Sequence, residues 1–593
     1  MRDCYRTLFT KTSRLLLLPA LAFGLLALVV SGCDSQLEED PYSDITPDQF
    51  YQNEAEFVAA VTGVASQLRQ FEDAILNMQE HSSDEMMVPT RGPDWGDGGI
   101  WRDMTQHNWD WTHPFPNNAY NDLQVGVARA NGVLATLQAS EALPDAQKAQ
   151  FAAEVRFLRA LYYYNLMDLF GNVPIVVEEG AEGNYTTQDE VTPTTPPPQN
   201  TRAELFDFLL EELTGCTSDN FDIANCIDNP GGALADLPAK GDVPYGRATA
   251  DAGYALLARM LLNAEIYTGT LSEDNLQPGT AMYAEASAAA DALLNSPDYS
   301  LEPDYFANFA ADNYNSSEII FAIPHKADNE AGFIRHNAVL HYNLPLPSTP
   351  WNGFTTIAEF YNSFEDGDVR KDQFLVGPRY TEPSSGCSGN ECWSDPSSEP
   401  VTVRGEDTQL NFTVEIPSIQ LGGLGVDVVE GAGARPLKWE IDPNAAGANM
   451  GNDFPLFRLA EMYLIKAEAE NEVNGPAAAK PYLDDLRARS NASPVPDGLS
   501  AEEMRAVILQ ERGYEMHNEG VRRQDLIRYE FAHGGIPQGY DPYPDNGIYA
   551  PTFTAEWLFK EESDAYRALF PIPQSQCSVN PNLTQNPGYT PCN

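Results

Sequence analysis

Positive charge is what this chain has least of. Its 593 residues contain 35 Lys and Arg against 87 Asp and Glu, a formal net charge of −52. Phosphate backbones are held by clustered Lys and Arg, so nucleic acid is excluded as a partner. The carboxylates are spread along the chain rather than gathered in a tail. They read as a solvated surface suited to a salty medium, where ions screen self-repulsion. Long apolar runs are also missing. The stretch from Leu15 to Val30 is interrupted by Pro19 and Gly24 and is short for the roughly 20 residues of a membrane-spanning helix. Histidine is scarce, and no His-Glu-x-x-His motif occurs. Gly431-Ala432-Gly433 lacks the third glycine of a dinucleotide loop. His107 and His113 have no supporting ligand pattern, so neither metal nor cofactor is expected. Asp541–Gly547 and Glu365–Asp368 depart from calcium-loop spacing and read as solvated turns. A carboxylate pair at glycosidase spacing is unavoidable among 87 acids and carries no information.

Cysteine is sparse, and its placement is informative. Arg2, Arg6, Lys11 and Arg14 precede the apolar run, which ends in Val30-Ser31-Gly32-Cys33. Charge, apolar stretch and small residues in that order mark 1–32 as a signal peptide. Cys33, directly after Ser31-Gly32, resembles the lipidated residue of a bacterial lipobox. Each buried acyl methylene contributes ~0.8 kcal/mol, so two or more chains make a lasting anchor. The acidic segment 33–45 cannot bury apolar surface and is expected to be a flexible tether. The other six cysteines of the exported chain form three local pairs: Cys216 with Cys226, Cys387 with Cys392, and Cys577 with Cys592. Nearest-neighbour disulfides suit an exported protein. Zinc is disfavoured because no histidine accompanies these pairs.

Helical periodicity dominates the rest. Apolar residues recur at three and four from Gln49 to Met78, with Thr46 as N-cap and Pro47 at the first helical position. Further helices are expected at 120–139, 145–170, 201–214, 247–267, 280–295, 455–473, 476–490 and 500–517. The helix 145–170 stops at Gly171, with Pro174 just beyond. Strand signals are thin: Ile319–Ile323 and parts of 411–430. The predicted fold is mainly α, a tetratricopeptide-like scaffold of helix pairs without a strict repeat. It carries a loop-rich, irregular half, with surface excursions at 184–200 and 382–408. The parts are 46–295 and 296–593, forming one compact unit.

Four stretches carry a family resemblance. They are Glu154–Tyr164 running on to Leu169–Pro174, then Phe454–Ala469 with Leu486–Arg489. Next come Glu511-Arg512, Glu519–Arg522 and Asp525–Arg528, and finally Phe570–Pro573 with Asn586–Tyr589. In this order, after a lipobox, they resemble the SusD/RagB family of outer-membrane lipoproteins from about residue 41 to the C-terminus. The resemblance implies a non-catalytic protein, lipid-anchored on the outer membrane and facing outward. It would capture oligosaccharides, or peptides in some members, and pass them to a SusC-like TonB-dependent β-barrel transporter. A surface glycoside hydrolase is the remaining alternative. Physically, the motif residues Glu154, Arg156, Arg159, Arg458, Glu461, Arg487 and Arg489 read as ion pairs between helices, where the guanidinium fork suits carboxylates. Tyr162, Tyr163 and Tyr164 read as core residues with their phenols at the edge.

The candidate ligand residues are aromatic. Trp95, Trp101, Trp109 and Trp111 crowd a Gly- and Pro-rich window that also holds Asp103 and Asn108. Trp351 and Asn352 form a second group. A sugar presents C–H faces that stack on indoles and hydroxyl edges that Asp and Asn read, matching an apolar site with a few placed polar groups. The expected ligand-binding set is Trp95, Trp101, Asp103, Asn108, Trp351 and Asn352. The competing reading is that these Trp anchor a long loop on the helices.

Overall fold

The computed structural model describes residues 51–181, 185–328, 332–382, 386–534 and 565–592. The leader, Cys33, the tether, Thr46, Pro47 and Asp541–Gly547 lie outside them. Contacts divide the chain into Met1–Glu56, described only from Tyr51, and Phe57–Asn593.

The fold is mainly helical, as expected. The helix Asp145–Phe170 runs to Gly171, whose φ of 71° is a conformation that favours glycine. A Cβ there would also meet Leu569 Cδ1 at 2.5 Å. This helix packs along Pro114–Ala139. The two approach most closely at Gly126, where a Cβ would sit 2.7 Å from the Tyr162 ring. Tyr162, Tyr163 and Tyr164 are buried, and their hydroxyls donate to Val64 O, Val176 O and Gln524 Oε1 at 2.6, 3.0 and 2.8 Å. Arg202–Thr214 and Ala501–Met516 both start with capping boxes, Thr201 with Glu204 and Ser500 with Glu503. The helix Tyr283–Leu294 lies between Ala250–Leu262 and Leu459–Val473. Buried Ala252, Ala255, Ala286 and Ala289 permit the close approach.

Several expected boundaries are corrected. The long helix from Gln49 is three pieces: Glu54–Ala65, a 3-10 segment Ser66–Glu72, and Ala74–His81. Asp73, at φ −92° and ψ −95°, breaks it. The segment 247–267 divides at Asn263, whose side chain turns back to Arg259 O at 2.9 Å. Phe454–Arg458 is a strand, antiparallel to Ile319–Ile323, and the helix begins only at Leu459. The helix Arg522–Phe531 has no counterpart in the sequence reading. Eight of its ten residues are buried, Arg522, Arg523, Gln524, Asp525 and Arg528 alongside Leu526, Ile527 and Tyr529, so no apolar stripe stands out. Glu365 and Asp368 are not solvated turn residues; they pair with Arg487 at 2.6 Å and Arg370 at 2.7 Å.

The three disulfides join the expected neighbours, Cys216–Cys226, Cys387–Cys392 and Cys577–Cys592. The C-terminal segment is held against the end of the helix at Phe170. Phe570 N donates to Leu169 O at 2.8 Å, and Asn586 Nδ2 donates to Phe170 O at 2.9 Å.

The motif charges meet inside the protein. Buried Arg458 contacts Glu318 at 2.9 Å, Glu515 at 2.6 Å and Glu519 at 2.7 Å. Arg489 bridges Glu318 and Glu515, Arg370 joins Glu515 to Glu511 and Asp368, and Lys438 caps Glu519. Arg487 extends the chain of charges from Glu511 to Glu365. Elsewhere Arg259 grips Glu461 with two bonds of 2.6 and 2.7 Å, Arg247 pairs with Glu154, and Arg159 pairs with Glu178 and Glu212. Burial pushes the Glu515 carboxyl up, but Arg489, Arg458 and Arg370 outweigh it and hold the group well below its usual range.

Removing Arg458 takes one buried cation from each of Glu318, Glu515 and Glu519. Arg458→Met is expected to cost about 3–5 kcal/mol, the typical loss when one partner of a buried ion pair is removed. Because Glu515 is depressed in the folded state, its stabilisation is present above the ordinary carboxylate pKa and lost as pH falls through the folded value. The deficit of the variant should therefore shrink as the solution is acidified. Urea melts of both proteins from pH 7 to pH 3 check this; a deficit that does not change with pH contradicts it.

Candidate functional site

The two tryptophan groups, far apart in sequence, meet at one rim. Residues 86–87 pair with 355–356 in a short antiparallel ladder, which lays the chain before Trp95 beside the chain after Trp351. The turn Arg91–Asp94 is closed by backbone hydrogen bonds in both directions, 2.9 and 3.0 Å. It is fastened by buried Arg91, which donates to Val429 O at 2.9 Å and Ala432 O at 2.8 Å. Trp95 follows with φ 59°, a left-handed conformation that costs a non-glycine residue energy and often marks functional positions.

Trp95 is half-buried. Its indole N–H donates to Trp351 O at 2.7 Å. Its ring packs on Trp101, 5.2 Å between centroids, and on Phe354 at 5.6 Å. It lies so close over Gly353 that a Cβ there would fall 2.3 Å from the indole. Trp101 is the floor: 9% exposed, it touches Phe115, Phe354 and the buried His81, and its N–H donates to Asp97 at 2.9 Å. Trp351 is the exposed member, at 44%. Its backbone is fixed, with N donating to Asn337 O at 2.6 Å and O accepting from Trp95.

Beside the indoles lies a polar wall that the sequence reading missed. Asp94 Oδ2 accepts from Tyr342 O–H at 2.6 Å and from Arg404 at 2.8 Å. The Arg404 guanidinium lies 3.7 Å over the centre of the Tyr342 ring, a cation–π contact. Its Nε donates to Glu430 Oε1 at 2.7 Å, and His341 Nε2 sits 2.8 Å from Glu430 Oε2. Arg404 stands in the tight turn between Thr402 and Gln409, which pair antiparallel, with Val403 N donating to Thr408 O at 3.0 Å. Burial raises the Glu430 pKa, but hydrogen bonds from His341 and Arg404 more than offset this and hold it at about 2. Glu430 is thus an ionised acceptor at neutral pH and a poor proton donor.

The other candidates are placed differently. Asn352 is fully buried with φ 54°; its amide donates to Glu430 O and accepts from Arg435, both inside the protein. Asp103 is partly exposed on the short helix Ile100–Gln106, and Asn108 is exposed just after it. Trp109 is buried, with its N–H on Tyr589 O–H at 2.8 Å, and serves the C-terminal lock. His107 and His113 are spoken for: His107 Nε2 meets Ser82 O at 2.7 Å, and His113 caps the helix that starts at Pro114.

Trp95 stands where it does because position 353 has no side chain. Gly353→Ala is expected to lift the indole off its floor without unfolding the protein. Acrylamide quenching of tryptophan fluorescence should rise while the melting temperature moves by only a few degrees. Unchanged quenching contradicts the packing described.

One family profile, described as the SusD family, matches residues 437–589. A second, described as starch-binding and associating with the outer membrane, matches residues 36–211. The SusD-like protein P25 of Formosa agariphila is 24% identical over 94% of this chain and 96% of its own length. The starch-binding protein SusD of Bacteroides thetaiotaomicron is 26% identical over 76% of this chain and 75% of its own. Among solved structures, surface glycan-binding protein A from Bacteroides thetaiotaomicron, in complex with laminarihexaose, superimposes with a TM-score of 0.62 at 20% identity. That match covers 90% of this chain and 99% of the other, and it shows that the two share a fold.

Proposed function

This chain is a SusD/RagB-like protein, and from that premise we propose that it captures oligosaccharides at the Trp95–Trp351 rim and hands them on without altering them. The observation that carries the reading is the exposed Trp351 indole, on a backbone whose carbonyl accepts from the Trp95 indole N–H, with Asp94, Tyr342 and Arg404 alongside. An indole face stacks on the C–H face of a sugar ring, and the flanking guanidinium and carboxylate supply a donor and an acceptor for its hydroxyls. Among the relatives whose names state a ligand are a starch-binding protein, a laminarin-binding protein and one solved with laminarihexaose. Glu430, ionised and fully engaged, offers no acid for cleaving a glycosidic bond.

The rest of the proposal places the protein. Cys33 carries the lipid, the acidic segment after it spans to the fold, and the protein sits on the outer face of the outer membrane. Its partner there is a SusC-like TonB-dependent barrel that takes over the cargo.

The test is calorimetric titration of the mature chain with maltohexaose and laminarihexaose. At least one is expected to bind, and Trp351→Ala should weaken it tenfold or more, about 1.4 kcal/mol, with an unchanged melting temperature. An oligosaccharide whose affinity is indifferent to Trp351→Ala would sink the proposed rim. Binding of short peptides in place of any sugar would turn the ligand assignment to peptides.

A further inference from the structure

We propose a second binding site in this chain: an open, negatively charged cleft between Tyr245 and Tyr314 that accepts an alkylammonium group. It shares no residue with the tryptophan rim and does not depend on the function proposed above.

The cleft has a volume of about 640 Å³. Two tyrosines wall it, 47% and 57% exposed, an unusual placement for large aromatic side chains. Their ring centroids are 6.4 Å apart and their planes meet at 69°, an edge-to-face pair at the mouth of the cleft. Tyr245 is held in place by its hydroxyl on Asp453 and by Gly246, over which Pro324 packs so closely that a Cβ would meet its ring at 2.6 Å.

The charge lining the cleft selects the ligand. Asp312, Glu440, Asp442 and Asp453 all line it. Backbone N–H groups orient three of them: Ala311 N donates to Glu440 at 2.8 Å, Gly451 N to Asp442 at 2.8 Å, and His325 N to Asp453 at 2.7 Å. Such bonds fix the carboxylates without neutralising them. The basic side chain in the lining, His325, is turned to Glu72 at 2.9 Å. An anion is therefore repelled here, and a cation is drawn in both by the carboxylates and by the negative faces of the tyrosines. Among the described residues no three His, Cys, Asp or Glu side chains converge to hold a metal ion. The carboxylates ring the cleft instead of meeting at a point, which suits a broad, weakly hydrated organic cation better than a compact hard one. The ammonium of an amino sugar and that of a lysine side chain share this chemistry.

The probes are trilysine and the glucosamine trimer, each compared with its fully N-acetylated counterpart, titrated calorimetrically into the mature chain at low salt. One or both charged probes should bind at least tenfold more tightly than the acetylated form, and whichever binds more tightly identifies the source of the ammonium. The double variant Y314A/D312N should lose that preference by at least fivefold. Both side chains are exposed, so its melting curve should match wild type. Equal affinity for charged and acetylated probes would overturn the proposal. So would an affinity unmoved in the double variant, which would assign the attraction to the net charge of the chain.

Discussion

The structure depends on the pairing of charges that have been taken out of water. Arg458 is the clearest case: a fully buried guanidinium that satisfies carboxylates from the loop at Glu318, the helix at Glu515 and the turn at Glu519. A lone buried ion costs several kcal/mol, so each of these groups is tolerable only while the others are in place. That makes the network a device for register. Helix, strand and loop can meet in one arrangement that satisfies every charge, and a slip of any element leaves an ion unpaired. Apolar packing around it is extensive, but apolar contacts are less particular about geometry.

The rim is built from the opposite material on top of this frame. Trp101, Phe354, Phe115 and His81 form a floor of packed rings, and Trp95 is clamped to it by its indole hydrogen bond and by the absence of a side chain at Gly353. Arg91, Arg404 and Glu430 tie the surrounding loops together from three distant parts of the sequence. The positive φ values at Trp95 and Asn352 show that both sides of the rim depart from ordinary backbone geometry to bring the indoles together. In a SusD/RagB-like protein, such fixed side chains would lose little freedom when a ligand arrives, which is how a shallow surface gains affinity.

The helices with an apolar stripe were legible in the sequence. Asp145–Phe170 begins and ends where the periodicity and Gly171 place it, and the expected ranges 201–214 and 500–517 match Arg202–Thr214 and Ala501–Met516 to within a residue. The helix Arg522–Phe531 was hidden because it is buried almost all round and five of its eight buried residues are polar or charged, so no apolar stripe marks it. The strand Phe454–Arg458 looked helical because its large apolar residues run straight into the stripe of Leu459–Val473. At the rim, composition pointed to Trp95, Trp101 and Trp351. Nothing local pointed to Tyr342 or Arg404, which stack on each other across a loop-rich region. Asn352 looked like a ligand residue by adjacency to Trp351, yet a left-handed backbone turns it inward to Glu430 and Arg435.

The central claim is that a charge-locked frame presents a preformed aromatic rim. Crystal structures of the mature chain with and without a bound oligosaccharide test it most directly. The account predicts a sugar ring seated on Trp351, with the backbone at Trp95, Gly353 and Arg404 superimposing between the two structures to within about 1 Å, as in pre-organised complexes. A ligand bound away from these indoles, or a rim that forms only when the ligand is present, would contradict it.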